Sequence, residues 1–227
     1  MIYEQPSIYF QGIRIDEPVT TLTDLVVSTI CFYAFYKLNK RQENGKVYYF
    51  LKYYFLTMGL ATLIGGLIGH AFYYAFSKKW KLIGWFISMG SIALLERAAI
   101  EYARPLIRPR VGVFFSWMNA VEIATFFFIV VYTLNFFFVE VHSAYGLVVV
   151  VFSFMSYVFY HKRNAGSRLF LIAVVFSGFA ALFYMIKWGF GPWFNHTDIS
   201  HTFMAASVFC MYIGAQSILD HPIKYSS

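Results

Sequence analysis

Residues 195–219 read NHTDISHTFMAASVFCMYIGAQSIL, a polar opening followed by a mainly apolar run. At about 1.5 Å of helix per residue, this stretch is long enough to cross the roughly 30 Å hydrocarbon core of a bilayer. Its opening contains His196, Asp198 and His201 within six residues. Such groups are costly to bury at membrane depth. The stretch therefore predicts a membrane-spanning helix that begins at a functional site.

The composition places the whole chain in the membrane class. Of its 227 residues, 59% are hydrophobic, 22% are aromatic and only 13% are charged, and the mean hydropathy is +0.60. At roughly 20 apolar residues per span plus short loops, this length allows about seven helices and no sizeable soluble domain. We therefore predict an all-α integral membrane protein in which residues 1–227 form one seven-helix bundle.

Seven apolar segments, separated by turn residues and basic links, fit this prediction. The fifth and sixth carry almost no polar residue that needs a partner, so we expect them to form scaffold and lipid-facing wall. In the second, Gly65 and Gly69 form a GxxxG pattern, which predicts the close approach of another helix. The predicted spans are residues 18–38, 47–76, 82–102, 111–138, 143–160, 169–187 and 196–219.

The basic residues predict the orientation of the bundle. The formal charge is +7, and Lys and Arg are concentrated in the first, third and fifth links between spans. Basic links of this kind remain in the cytoplasm, so we expect the N-terminus outside and the C-terminus in the cytoplasm. Beside spans, basic side chains meet anionic lipid headgroups. Membrane lipids are therefore the expected partners, and we assign no nucleic-acid role.

Three residues of different spans reach one level near the outer surface. Asp24 and His70 lie about six residues inside the outer ends of the first and second spans, and His201 lies about five inside the seventh. These positions are about 9 Å or less below the surface. Asp198 shares the helical face of His201, whereas His196 lies closer to the rim. Helical bundles build metal sites from residues that converge in this way.

The donor types suit zinc, which takes imidazole nitrogen at about 2.0–2.1 Å and carboxylate oxygen. His70 and His201 would be ligands, with Asp198 or His196 as the third. A catalytic zinc site also needs a group that manages the proton of its water, a role we assign to Asp24 or Asp198. The alternative is structural: Asn195 and Asp198 resemble a helix-capping pair, and each histidine would then only form hydrogen bonds.

A histidine late in span two and a histidine pair opening span seven resemble the CREST superfamily of membrane hydrolases, which includes alkaline ceramidases and the progestin and adipoQ receptors. The resemblance implies a zinc held by His70, His196 and His201 and the cleavage of lipid amides. The chain departs from that pattern at two places. Its last two histidines are five residues apart instead of four, and Gly66 stands where the superfamily has a serine.

Two phrases, EPVTTLTD at residues 17–24 and HTDISH at residues 196–201, resemble an uncharacterised family of bacterial seven-helix membrane proteins. This resemblance implies a multi-pass protein of the bacterial inner membrane. It brings no known activity.

A second polar group lies deeper in the bundle. Glu96 and Arg97 fall in the inner half of span three, and Asn119 and Glu122 share a face of span four. We expect Arg97 to pair with Glu122 or Glu96, because unpaired charges are costly in a bilayer. The alternative is a proton or cation path through Glu122, Glu96 and Asn119.

Three functions remain open at this point. The first is a zinc-dependent membrane hydrolase of a lipid amide or ester bond. The second is a proton- or ion-coupled carrier or sensor without enzymatic activity, which uses the intramembrane histidines and carboxylates. The third is an outer cluster that only holds the first, second and seventh helices together.

Overall fold

The computed structural model describes residues 5–223, and these form the predicted bundle of seven long helices. Each helix contains an 18-residue window with a mean hydropathy of 1.4 to 2.5. All seven are therefore long and apolar enough to cross a membrane. Residues 1–4 and 224–227 of the predicted 1–227 domain lie outside the described residues.

The helices alternate in direction and are joined by short links. Helix α2 ends in a π-helical segment, Gly65–Ala71, and α5 contains a second one, Tyr145–Val151. In chain order the helices are α1 (Pro18–Asn39), α2 (Lys46–Ala71), α3 (Lys78–Ala103), α4 (Pro109–Thr133), α5 (Phe137–Lys162), α6 (Ala165–Ile186) and α7 (His196–Asp220).

The boundary between α4 and α5 differs from the sequence-based one. Helix α4 ends at Thr133 because Leu134 adopts the left-handed conformation, with φ 50°. Helix α5 then begins at Phe137, whose backbone N–H donates to the Asn135 side chain at 3.0 Å. The fifth helix is therefore longer than the predicted span 143–160 and includes His142.

A β-hairpin precedes the bundle. Strands β1 (Ile8–Phe10) and β2 (Ile13–Ile15) pair antiparallel around Gln11 and Gly12, which both have positive φ. Two positive φ values give the turn a twist that matches the right-handed twist of the strands. We call the end of the bundle that carries this hairpin the hairpin end. Helices α1, α3, α5 and α7 begin there, and α2, α4 and α6 end there.

Asp16 attaches the hairpin to the bundle. Its backbone N–H donates to the Ala71 carbonyl at the end of α2, at 2.9 Å. Its carboxylate accepts hydrogen bonds from the Ser7 hydroxyl at 2.6 Å and the Arg14 guanidinium at 2.7 Å. Burial acts to raise the pKa of Asp16, but the hydrogen bonds from Ser7 and Arg14 outweigh it and hold the pKa below its ordinary value.

Helix α3 lies at the centre of the packing and α4 at its margin. Helix α3 packs against α2, α4 and α5, and α1 lies between α2 and α7, which also packs against α6. Inside the chain, 56% of the apolar window of α3 is buried, against 17% for α4. Most of the surface of α4 is therefore left for lipid.

Glycines allow two close helix contacts. A Cβ on Gly59 or Gly66 of α2 would lie within 3.0 Å of a side chain of α1. Gly69, one half of the predicted GxxxG pair, has no such neighbour within 4 Å. Both Gly65 and Gly69 fall in the π-helical segment. Residues four apart lie on the same face of an α-helix, but this does not hold in a π-helix. The close approach of α1 therefore depends on Gly59 and Gly66 instead.

The contact between α6 and α7 gives a test of the packing. A Cβ on Gly166 would lie 2.7 Å from Ile218 and 2.9 Å from the Gly214 carbonyl oxygen, whereas Gly178 on the same helix has open space. We expect Gly166→Ala to lower the free energy of unfolding by about 1–3 kcal/mol, because the backbone of α7 must shift. The measurement is thermal or denaturant unfolding in detergent. In the control, Gly178→Ala should be neutral or stabilising by up to about 1 kcal/mol. Equal effects of the two changes would contradict the packing.

Candidate metal centre

Three helices bring one carboxylate and two imidazoles together near the hairpin end. Asp24 comes from the second turn of α1, His70 from the π-helical end of α2, and His201 from the second turn of α7. One donor atom from each residue lies within 4.8 Å of the other two. We call Asp24, His70 and His201 the hairpin-end cluster. The convergence of these three residues follows from the common depth that the sequence indicated.

The distances in the hairpin-end cluster exceed those of hydrogen bonds. Asp24 Oδ2 lies 3.8 Å from His70 Nε2, and Asp24 Oδ1 lies 3.5 Å from His201 Nδ1. Two ligands held at about 2.0–2.1 Å by one tetrahedral zinc are about 3.3 Å apart. The spacing in the cluster is therefore close to that of donors sharing a metal ion, and the donor types also fit zinc.

Glu17 fixes the orientation of His70. It is the residue before the first turn of α1, with φ 41°, and its carboxylate is hydrogen-bonded to His70 Nδ1. With Nδ1 engaged in this way, Nε2 faces Asp24. Metal-binding histidines commonly donate one ring N–H to a carboxylate while the other nitrogen holds the ion. The sequence-based site does not include Glu17.

Thr23 has a similar relation to His201. The Thr23 hydroxyl donates to the Thr20 carbonyl at 2.9 Å, and its oxygen lies 3.1 Å from His201 Nδ1. Because the only hydroxyl proton of Thr23 goes to Thr20, His201 Nδ1 carries a hydrogen when no metal is bound. A metal ion at this nitrogen would require the other tautomer of the neutral ring, with the hydrogen on Nε2.

The exposure of the site decreases from its rim inwards. The side chain of Glu17 is 45% exposed and that of His70 25%, whereas Asp24 is only 7% exposed. A Cβ on Gly66 would lie 3.0 Å from Asp24 Cβ, so the absence of a side chain there makes room for this carboxylate. The site is thus open to the hairpin end through Glu17 and closed towards the middle of the bundle.

Asp198, predicted as a ligand or a proton carrier, lies outside the hairpin-end cluster. Its carboxylate accepts from Gln5 Nε2 at 2.6 Å, Thr20 Oγ1 at 2.8 Å and the Asn195 backbone N–H at 2.7 Å. With Asn195 it forms the capping box of α7, the structural alternative that the sequence left open. In this arrangement Asp198 holds the starts of α1 and α7 together.

His196, the other predicted ligand, also lies apart from the hairpin-end cluster. It is the first residue of α7, and its ring lies 5.9 Å from the ring of Tyr184 on α6. In the part of the chain that the structure describes, no metal-like grouping includes His196 or Asp198. The structure thus brings Asp24, His70 and His201 together and leaves His196 and Asp198 aside.

The expected pairing of Arg97 with Glu96 or Glu122 is wrong. Arg97 donates instead to the Ser116 carbonyl at 2.7 Å and lies over the Phe50 ring. Neighbouring residues of an α-helix point about 100° apart, so Arg97 and Glu96 face different helices. Glu122 is paired with His142 at 2.6 Å.

His142 lies just outside the predicted fifth span, which begins at residue 143, so the sequence-based sites do not include it. A signal was present in the form of Asn135, a helix-capping residue that directly precedes an apolar run. An earlier helix start would have placed His142 inside the bundle.

The fold and this site define a seven-helix integral membrane protein with a histidine–aspartate centre near one end. Residues 19–220 match a family of unknown function, DUF6962, and the chain belongs to that family. No curated protein and no solved structure matches the chain.

The structural role of Asp198 can be separated from a role in metal binding. Asp198→Asn removes a charged acceptor from three buried donors, so we expect the free energy of unfolding to fall by about 2 kcal/mol or more. The metal content of the folded protein should not change. Asp220→Asn, at the exposed end of the same helix beside Arg41, is the control and should cost about 0–1 kcal/mol. Metal loss without loss of stability would contradict the capping role.

Proposed function

We propose that this chain is a metal-dependent membrane hydrolase that cleaves an amide or ester bond of a lipid. The observation that carries the proposal is the convergence of Asp24, His70 and His201 from three helices at metal-ligand spacing. Such sites in helical bundles are built from residues on facing helices that project inward. The resemblance to the CREST superfamily supports the reaction class.

In this proposal His70 Nε2, His201 Nδ1 and an oxygen of Asp24 hold one zinc ion. Zinc bound by three protein ligands acidifies a water molecule and polarises a carbonyl group. Glu17 keeps His70 in the required orientation and, as the half-exposed carboxylate at the rim, takes up the proton that is released. This assigns the third ligand to Asp24 and leaves Asp198 to the capping box.

The location of the site suits a lipid substrate. His70 is the second-last residue of α2, and Asp24 and His201 lie one to two turns below the hairpin end. A lipid in the bilayer carries its amide or ester bond at a similar depth, below its headgroup. We infer that substrate enters from the membrane between helices, while water enters past Glu17.

We infer that the hairpin end faces outward and that the chain lies in a bacterial inner membrane. Most basic residues of the described chain lie at the opposite end, where basic residues mark the cytoplasmic side. Those at the ends of helices and in the links there are Lys37, Lys40, Arg41, Lys46, Arg104, Arg108, Arg110, Lys162, Arg163 and Arg168.

Metal analysis of purified protein tests the centre. We expect about one zinc or similar ion at the hairpin-end cluster, lost in His70→Ala, His201→Ala and Asp24→Asn. His196→Ala is the matched control, since it removes a histidine from the same helix as His201 but from outside the cluster. This variant should keep its metal. Loss of metal in His196→Ala but not in Asp24→Asn would restore the sequence-based ligand set and contradict the one proposed here.

A second candidate function is a proton- or ion-coupled carrier. The observation that favours it is the buried group formed by Glu96, Glu122 and His142, which lies deeper in the bundle than the hairpin-end cluster. A carrier needs ionisable groups at this depth, whereas a hydrolase acting near the surface does not.

Activity in liposomes separates the two functions. The hydrolase predicts cleavage of N-acyl or ester lipids that falls about 100-fold or more in His70→Ala, because the metal ligand is lost. The same cleavage should persist in Glu122→Gln. The measurement is product release from reconstituted protein, with proton and cation flux recorded in parallel. Flux that is lost in Glu122→Gln and kept in His70→Ala, without any cleavage, would establish the carrier instead.

A further inference from the structure

A second cluster lies near the middle of the bundle, where α3, α4 and α5 meet. Glu96 of α3, Glu122 of α4 and His142 of α5 place one donor atom each within 4.8 Å of the others. Glu96 and His142 are fully buried, and Glu122 is 9% exposed. We call these three residues the inner cluster. They share no residue with the hairpin-end cluster.

The contacts of His142 fix which ring nitrogen faces the carboxylates. Nε2 lies 3.0 Å from the Met89 carbonyl oxygen, which can only accept, so Nε2 carries the hydrogen and donates. Nδ1 points the other way and lies 2.6 Å from Glu122 Oε1. A ring N–H donated to a backbone carbonyl, with the second nitrogen free to bind, is a usual arrangement around metal-ligating histidines.

Two carboxylate oxygens of the inner cluster have no partner. Glu96 Oε1 and Glu122 Oε2 are buried, and no donor of the described chain forms a hydrogen bond to either atom. Glu96 Oε2 accepts from Asn119 Nδ2 at 3.1 Å. One proton shared between the two carboxyl groups is the alternative to a bound cation, and the experiment below distinguishes the two. Buried polar groups without partners are rare and costly, so these oxygens indicate a missing ligand.

The charge of the inner cluster points to a cation. The ion pairs of the described residues give neither Glu96 nor Glu122 a Lys or Arg partner, and the neighbouring Arg97 is held by Ser116 and Phe50. Two carboxylates and one histidine therefore share a buried space without a fixed positive side chain. A divalent cation would balance both carboxylates at once.

Gly146 leaves room for Glu96 in this space. A Cβ at position 146 would lie 2.5 Å from Glu96 Oε1 and 2.5 Å from a methyl group of Ile92. Gly146 lies in the π-helical segment of α5, which directly follows the turn that carries His142. Single-turn π-helical insertions are often found at functional sites.

We propose that the inner cluster is a binding site for a divalent transition-metal cation, separate from the hairpin-end cluster. His142 Nδ1, Glu96 Oε1 and Glu122 Oε2 are the ligand atoms, and Asn119 holds Glu96 in position. One imidazole and two carboxylates suit Zn²⁺, Mn²⁺ or Fe²⁺. Binding displaces the proton that joins His142 to Glu122. The site does not depend on the proposed hydrolase.

Cobalt(II) is a suitable probe, since its visible spectrum reports nitrogen and oxygen ligation. The full chain, stripped with a chelator in detergent, is titrated with Co²⁺ and its bound metal is measured. We expect His70→Ala to keep about one Co²⁺ per chain, and Glu122→Gln and His142→Ala to lose the corresponding spectral component. The matched control is Glu140→Gln, which changes a carboxylate on α5, the helix of His142, but outside the inner cluster. This variant should bind cobalt as the wild type does.

The cobalt titration tests the inner cluster independently of the proposed hydrolase. Equal cobalt uptake by folded wild-type, Glu122→Gln and His142→Ala protein would overturn it, as would His70→Ala protein that binds no cobalt. Glu96→Gln provides a second variant should Glu122→Gln fail to fold, because the amide oxygen can still accept from Asn119. Wild-type stability that depends on pH but not on cobalt or chelator would identify a protonated carboxylate pair instead, and would equally overturn the metal site.

Discussion

The Asp198 carboxylate joins the starts of α1 and α7, the two helices that carry Asp24 and His201. It receives hydrogen bonds from Gln5, from Thr20 of α1 and from the Asn195 N–H that begins α7. Inside a bilayer, no water is available to form hydrogen bonds with these polar groups, so their partners must come from the chain itself. Gln5 contributes twice, because its side-chain amide oxygen also accepts from the backbone N–H groups of Val19 and Thr20, the first of α1. The starts of α1 and α7 are thereby held in register, and Asp24 and His201 meet about one turn deeper.

The fold was predictable because a membrane protein must show its helices in its composition. Twenty apolar residues per span are needed wherever the neighbouring helices lie, so hydropathy alone located all seven helices. Counting depth from the span ends then brought Asp24, His70 and His201 to one level, since a helix rises by a fixed amount per residue. Counting residues from the span ends gives the depth of a side chain but not the direction in which it points around the helix axis. Sequence position puts His196 closer to the rim and Asp198 on the face of His201, but it does not show that Asp198 closes the cap while His201 faces the cluster.

The parts that could not be predicted depend on helix ends and on π-helical segments. The sequence did not reveal His142, because the boundary between α4 and α5 is set locally, by Leu134 in the left-handed conformation and by the Asn135 cap. An α-helical period predicts a packing role for Gly69, whereas residues 65–71 form a π-helical segment. The sequence predicts that Arg97 pairs with a carboxylate, but the side chain points from α3 towards the Ser116 carbonyl. In each case the hydropathy of the segment is the same whichever way the side chain points. Only the backbone geometry determines which neighbours the residue contacts.

The two clusters differ in their access to water, and this difference separates what they can do. At the hairpin end, Glu17 and His70 remain partly exposed, so a proton released there would have a route to solvent. The inner cluster has no such exposed residue, and its unpartnered carboxylate oxygens are buried between α3, α4 and α5. An ion there would be held without water, which favours tight, slowly exchanging binding that joins three helices. In the proposed function, chemistry on water would therefore take place at the hairpin-end cluster, while an ion in the inner cluster would act on the stability of the bundle itself. A π-helical segment adjoins each site, and in both cases a glycine of that segment, Gly66 or Gly146, makes room for the carboxylate.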